Sequence, residues 1–346
     1  MSDSTLAPDY GLSAHQLFCD TARNILSASR NLDLPSFPTG SNPELKPSSL
    51  PSWVPDFEHI DQRVQQLTYQ ELGGEHKNVP RFKAAGVITW MPSYSNDGGS
   101  LLLEAQWLDE IVALSSFNSP TPAPETIEEK STLTCKTHYL FLSYENTALL
   151  GWQEGYVAGG SLRDAFWKSI NASWYPKGEE FHRDLHHRYD REWVLWRWLH
   201  RRGISCDAAC VFFLHIIVGS EGRRYMSGHT GPSIFDTFLQ CVGVTTPQFY
   251  SHCRAMGNRR MFRSRKGYIG LAPMAAIVGD SLALVRGSKA PLVLRSLSSA
   301  VSTVASDLGK TYKKGITLRL VGDAYVHGVV FGEAISGSGF TQIWLS

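Results

Sequence analysis

From Arg259 onward the sequence is a series of short apolar runs cut by glycines: 261–273, 279–287, 291–295 and 318–335. This punctuation restricts the segment to short strands and tight reversals that together form a small closed β unit. Leu282, Leu284 and Arg286 alternate with Ala283 and Val285, and Gly287, Ser288 and Lys289 stand where the chain must reverse before Leu292, Val293 and Leu294. Strand, turn, strand is the expectation. Gly267, Gly270, Gly279, Gly287, Gly322, Gly328 and Gly332 are accordingly assigned to turns, bulges and bends. Neither a G-x-x-x-x-G-K-[ST] phrase nor a strand-borne G-x-G-x-x-G is present, so nothing supports nucleotide hydrolysis.

Upstream, Ser13 and Gln16 stand at capping-box spacing with Leu12 and Leu17 as a staple, and Leu17, Phe18, Ala22, Ile25 and Leu26 recur at helical intervals. A first helix follows from this pattern. Residues 31–55 are rich in Pro and Ser and read as a surface strap anchored by Trp53. Phe82 to Trp90 and Leu101 to Leu114 read as the arms of a hairpin that turns at Ser95-Asn96-Asp97-Gly98-Gly99. Residues 120–130, with Ile127 their only large apolar side chain, read as a solvated linker where proteolysis would begin. The pattern then turns helical: a helix opened by Ser161 and Asp164, a longer one from Leu185 to Arg202, an apolar central helix over 206–218, and two short helices opened at Ser233 and Thr246. Residues 298–315 read as a mobile loop.

With 346 residues and 42% hydrophobic content, the chain can bury one large core or two ordinary ones. The first 16 residues show no basic region followed by an apolar run. The longest apolar stretch, Ala208 to Val218, is interrupted by His215 and too short to span lipid, so the expectation is a cytoplasmic protein with no membrane contact. In that setting the six cysteines are expected as buried thiols rather than a disulfide framework. Charge divides sharply along the chain: Met1 to Glu180 carries 12 Lys and Arg against 22 Asp and Glu, whereas Phe181 to Ser346 carries 21 against 10. Packing of an acidic half against a basic half accounts for this split, and an acidic partner for the basic half is the alternative.

Five cations, Arg259, Arg260, Arg263, Arg265 and Lys266, crowd eight residues at the entrance to the β unit and could contact a partner or a polyanion. Strand alternation splits them between two faces and leaves no clean basic face, which favours contacts within the chain over nucleic acid. His182 and His186 share a helix face, but neighbouring Arg183, Arg188 and Arg191 would repel a cation, and no metal site is assigned. Cys206 and Cys210 sit in an apolar run unsuited to a thiolate, and Cys253 follows His252 directly, so on a helix the two point apart. Tyr189, Trp193, Trp196 and Trp198 are read as core and interface, and His327 as a hydrogen-bonded strand residue. No set of nucleophile, base and oxyanion donors assembles, so the chain is read as a non-enzyme without cofactor or metal.

In their order, the phrases KGYIGLAP (266–273), GDSLALVRG (279–287), PLVLR (291–295) and LVGDAYVHGVVFGEA (320–334) resemble the C-terminal segment of fungal heterokaryon-incompatibility (HET-domain) proteins. The phrases DYGLS (9–13), LPSWVPDF (50–57) and FWKSINA (166–172) extend the resemblance over nearly the whole chain. It implies structural motif roles for Trp53, Pro55, Trp167, Gly267, Tyr268, Gly270, Gly279, Asp280, Arg295, Gly322, Tyr325, His327 and Gly328. Two phrases of the HET core, Y-x-x-L-S-Y-x-W-G and L-W-I-D-x-x-C-I-N-Q, do not occur; Leu142-Ser143-Tyr144 echoes the first, but Glu145 follows. The resemblance therefore implies a core-less or truncated relative, a recognition or regulatory module in non-self recognition and programmed cell death with a protein partner.

The fold expected is α+β: a mainly helical body with a β-hairpin, followed by a small antiparallel β-barrel-like unit whose sheet the hairpin completes. Expected parts are a helix, strap and hairpin over 1–118, a linker over 119–131, a helical region over 132–258 and the β unit over 259–335.

Overall fold

The first helix begins at Ser13, whose extended backbone and side chain form a reciprocal capping box with Gln16 in a computed structural model of the protein. The structure describes residues 11–34, 50–58, 82–86, 90–117, 140–149, 155–173, 183, 256, 258–297, 316–336 and 339–346. Helix α1 covers Ala14–Ser29 and stops where Arg30 turns left-handed (φ 53°) and its N–H returns to the Leu26 carbonyl. Cys19, Ala22 and Leu26 are its buried stripe. Leu12 and Leu17, the expected staple, are 37% and 43% exposed, because they sit outside that stripe.

The hairpin turn lies where expected, but its first arm does not. Strand β1 is only Ser93–Tyr94, β2 is Leu101–Leu114, and Gly98 has the positive φ (69°) the reversal needs. Phe82 to Gly86, placed in the arm by its apolar content, instead makes a turn closed by the Gly86 N–H on Lys83 O. Seven further strands follow: β3 Arg259–Ser264, β4 Ile269–Pro273, β5 Ser281–Val285, β6 Leu292–Ser296, β7 Ile316–Asp323, β8 Tyr325–Val326 and β9 Thr341–Leu345.

β2 organises all of them. Its 14 residues pair with β1 and then β5 along one edge, and with β9 and then β3 along the other. Because β5 pairs β6, β6 pairs β7, and β7 pairs β9, the strands β2, β5, β6, β7 and β9 close a ring. Strands β3, β4 and β8 continue from the far end of β2 as a second leaf. Register shifts near Trp107 and Asp109, and again near Ile111 and Ala113, mark irregularities that bend β2 from one leaf into the other.

Three apolar clusters follow from alternation on these strands. All five ring strands contribute to the first (Leu101, Leu103, Val285, Leu294, Leu320, Ile343), which is completed by α1 and Trp53. A second lies between ring and leaf, built from Ile111, Leu282, Leu284, Val293, Phe262 and Val326. On the other face of the leaf, Met261, Ile269, Leu271 and Tyr325 pack against two helices, α2 (140–149) and α3 (Leu162–Ile170), through Phe141, Tyr144, Phe166 and Trp167. Helices, leaf and ring are thus successive layers.

Two expectations change. A mainly helical body is not supported: the described residues hold three helices beside nine strands, and the helices expected over 185–218 and after 233 fall outside them. The sheet is also mixed rather than antiparallel, since β7 and β9 run parallel. The hairpin strand β2 does complete the sheet.

Candidate functional site

The basic segment is turned largely onto the chain itself. Arg259, buried, donates Nη2 to Asp323 Oδ1 and Nη1 to the Asp323 carbonyl (2.8 Å), while its own carbonyl accepts from the Tyr144 hydroxyl. Arg260 donates Nε to Ser115 O (2.7 Å) and Nη1 to Ala276 O (3.2 Å), and lies over the Phe117 ring. Arg265 pairs with Glu110 at 2.9 Å, and Lys266 donates Nζ to Leu108 O (2.7 Å) and its backbone N–H to Asp109. Arg263, facing Ala113 and Ile269 across the ladder, is only partly buried. The carboxylates Asp109 and Glu110 belong to the acidic half of the sequence.

Asp280 and Arg295 form a clamp between β5 and β6. Both carboxylate oxygens of the buried Asp280 accept from Arg295, Nε to Oδ1 and Nη2 to Oδ2, each at 2.8 Å, and Oδ2 also accepts the Ile277 N–H. This fork-to-carboxylate geometry holds the Arg295 guanidinium above its ordinary pKa. Gly267 and Gly279, with φ of 99° and 97°, make the neighbouring turns. Gly270 is needed for another reason: a Cβ there would lie 1.8 Å from the Tyr325 carbonyl oxygen, so only glycine lets β4 and β8 pair. Gly322 (φ 147°) packs against Pro273, and Gly328 (φ 73°) lies against Ala158.

The remaining motif residues meet at the end of α3. Ser173 Oγ lies 2.6 Å from the Tyr325 hydroxyl, which lies 3.2 Å from His327 Nδ1. Tyr156 stacks near the His327 ring (5.3 Å between centroids), donates its hydroxyl to His327 O (2.9 Å) and accepts from the Ile269 N–H. Burial is the main reason the imidazole is pushed down to about 4; Lys168 adds repulsion and Asp164 opposes it. Burial also raises the Tyr156 phenol well above its ordinary value. The His327 imidazole is therefore neutral near pH 7, and the chain of hydroxyls ties the end of α3 to β8. Sequence reading did not single out Tyr156 or Ser173, and it met Tyr144 only as an echo of a HET-core phrase. Ser173 is positioned by two successive left-handed residues, Ala172 (φ 47°) and Ser173 (φ 56°), for which the local sequence carries no glycine signal.

Trp53 is buried, donates Nε1 to Gly99 O (3.2 Å) and stacks by Tyr94; Pro55 is buried beside it. Trp167 packs on Phe141 and Phe166, and Tyr268 lies between leaf and helices. His182, His186, Cys206, Cys210, Cys253 and the tryptophans of 193–198 lie outside the described residues. Among the described residues no group of three or more His, Cys, Asp or Glu side chains could hold a metal, and no helix is long and apolar enough to cross a membrane.

The strand set running from Arg259 through the Asp280–Arg295 clamp to His327 can be compared with known families. Residues 235–338 match the Het-6 beta-barrel domain. That family is associated with fungal heterokaryon incompatibility, in line with the resemblance carried by the phrases above. The Het-6 barrel span includes β3 to β8, while β2 and β9, which close the ring, flank it. No curated protein and no solved structure matches the chain.

Proposed function

We propose that the chain is a non-catalytic recognition or regulatory module of fungal non-self recognition, acting in the cytoplasm through a protein partner and coupled to programmed cell death. The Het-6 barrel match supports a heterokaryon-incompatibility-related role. The observation that carries the finer reading is how the matched region uses its polar side chains. Asp280 and Arg295 clamp adjacent strands, Arg259 anchors β3 to Asp323, and Tyr325 and His327 tie β8 to Ser173. These groups hold the scaffold, and their donors and acceptors are directed at one another rather than toward a reacting atom.

Expression in a filamentous fungal host, with and without a separately encoded HET core, tests this. Growth arrest that requires the core is expected. Arrest caused by this chain alone would overturn the non-enzymatic reading.

The alternative is a polyanion contact. It rests on Arg265, whose side chain is 67% exposed although paired, and on Arg263 beside it. Salt-sensitive binding of single-stranded nucleic acid, weakened when Arg263 and Arg265 are changed to Glu, is its signature; binding that is absent or indifferent to salt removes it.

A further inference from the structure

Two arginines of the leaf lack a counter-charge, and Arg260 is the one held in place. Arg259, Arg265 and Arg295 each meet a carboxylate, whereas Arg260 and Arg263 meet none among the described residues, and of these two Arg260 is fixed by hydrogen bonds. Two carbonyls, Ser115 O and Ala276 O, and the Phe117 ring 5.8 Å from its guanidinium carbon fix its orientation without neutralising it. Its pKa is lowered, chiefly by burial, as expected of a cation desolvated without a counter-charge. Its Nη2 makes no hydrogen bond among the described residues, so a donor remains available at a group that is already held in place.

Apolar surface surrounds it. Phe117 is 46% exposed, and the turn that Arg260 grips at Ala276 presents Ile277 and Val278 at 49% and 58%. This turn is unusually well held: Ala276 N–H bonds to Pro273 O, Ile277 N–H to Asp280 Oδ2, Gly279 N–H to Ile111 O, and Arg295 Nη2 to Ala275 O. Large apolar side chains on a pre-ordered turn lose little entropy on contact, which is what a binding hot spot requires.

We propose that Phe117, Arg260, Ile277 and Val278 form the docking surface for the protein partner, and that this partner presents an acidic segment in which a carboxylate sits beside large apolar side chains. The proposal rests on the recognition role stated above and names the chemistry of the partner. One uncompensated guanidinium among three apolar side chains suits a single carboxylate. A run of phosphates would need several cations held together, whereas Arg265 is paired with Glu110, the Lys266 Nζ is held by Leu108 O, and Arg263 stands at an odd offset from Arg260 on the strand.

The test uses the full chain and a fluorescent capped peptide of alternating glutamate and leucine, with a glutamine-and-leucine peptide as control, read by anisotropy. The glutamate peptide should bind, and the glutamine peptide should bind about tenfold more weakly or worse, the loss expected for one charge-assisted contact. Val278→Asp, at an exposed tip and so expected to leave the urea midpoint unchanged, should weaken the glutamate peptide by about tenfold as well. Arg260→Lys keeps the charge but loses the fork and should fall between parent and Val278→Asp; if it does not fold, Val278→Asp decides. Equal binding of the two peptides, parent-like binding by Val278→Asp, or displacement of the peptide by oligothymidylate would each overturn the proposal. The fungal assay separates the two levels. Core-dependent arrest that persists in Val278→Asp overturns this surface and leaves the recognition role standing, whereas arrest lost along with peptide binding supports both.

Discussion

Asp280 is 1% exposed and receives three hydrogen bonds, two of them from Arg295, so removing its carboxylate strands a guanidinium and an amide at once. Asp280→Ala should lower stability by about 3 kcal/mol, seen as a lower urea midpoint at unchanged m-value. A midpoint equal to the parent's would mean the clamp contributes nothing net. His327 sets a second expectation. Its folded pKa of about 4 lies below the ordinary 6.5, so between those values the unfolded chain binds the proton that the folded chain refuses. Stability is complete above pH 6.5 and falls as pH drops toward 4, by up to about 3 kcal/mol. His327→Gln should flatten this part of the pH profile relative to the parent; an identical slope in both proteins would place the proton uptake elsewhere. Individual residues of this kind were legible in part. The phrase around Asp280 pointed to a turn, but its pairing with Arg295 joins the residue just before β5 to one on β6, 15 positions away, a contact that only the register of β5 on β6 creates.

At the scale of elements, the β4–β8 contact depends on Gly270. Gly270→Ala would drive a methyl into the Tyr325 carbonyl and should cost at least about 2 kcal/mol, with faster amide exchange at His327, whose N–H bonds to Ile269 O. Slow exchange retained at His327 would contradict the close approach of Gly270 to the Tyr325 carbonyl. Capping chemistry and alternation made α1, α3, the β5–β6 hairpin and the Ser95–Gly99 turn readable, since each is specified by residues within one or two turns of chain. The missing first arm shows where that logic stops. Phe82 and Ala84 fill the third and second clusters from a turn, with Ala85 buried beside them, and burial alone does not distinguish a turn from a strand. The basic segment illustrates the same boundary: alternation predicted two mixed faces, but not that Arg260 would be held by two carbonyls without a carboxylate.

For the molecule as a whole, the ring is assembled from distant pieces. Strands β5, β6 and β7 could be anticipated from the glycine-cut runs, but β9 could not, because its Thr341 to Leu345 stretch lies beyond those runs and pairs parallel to β7. A fragment beginning at residue 235 would contain β3 to β9 yet lack β2, leaving the paired edges of β3, β5 and β9 open. Such a fragment should be insoluble or lack a cooperative thermal transition, and a synthetic 90–117 peptide added in excess should restore one. A cooperative transition in the fragment alone would show that β2 is dispensable. The closure also sets an order of events during synthesis. Ala105 on β2 cannot meet Thr341 until the ribosome has travelled 236 positions further, so throughout that interval a long, apolar strand edge has no partner. The nascent chain must therefore shelter that edge, by a chaperone or by a temporary neighbour, and mutations that slow the arrival of Thr341 to Leu345 should appear as aggregation in cells even when the finished protein is fully stable.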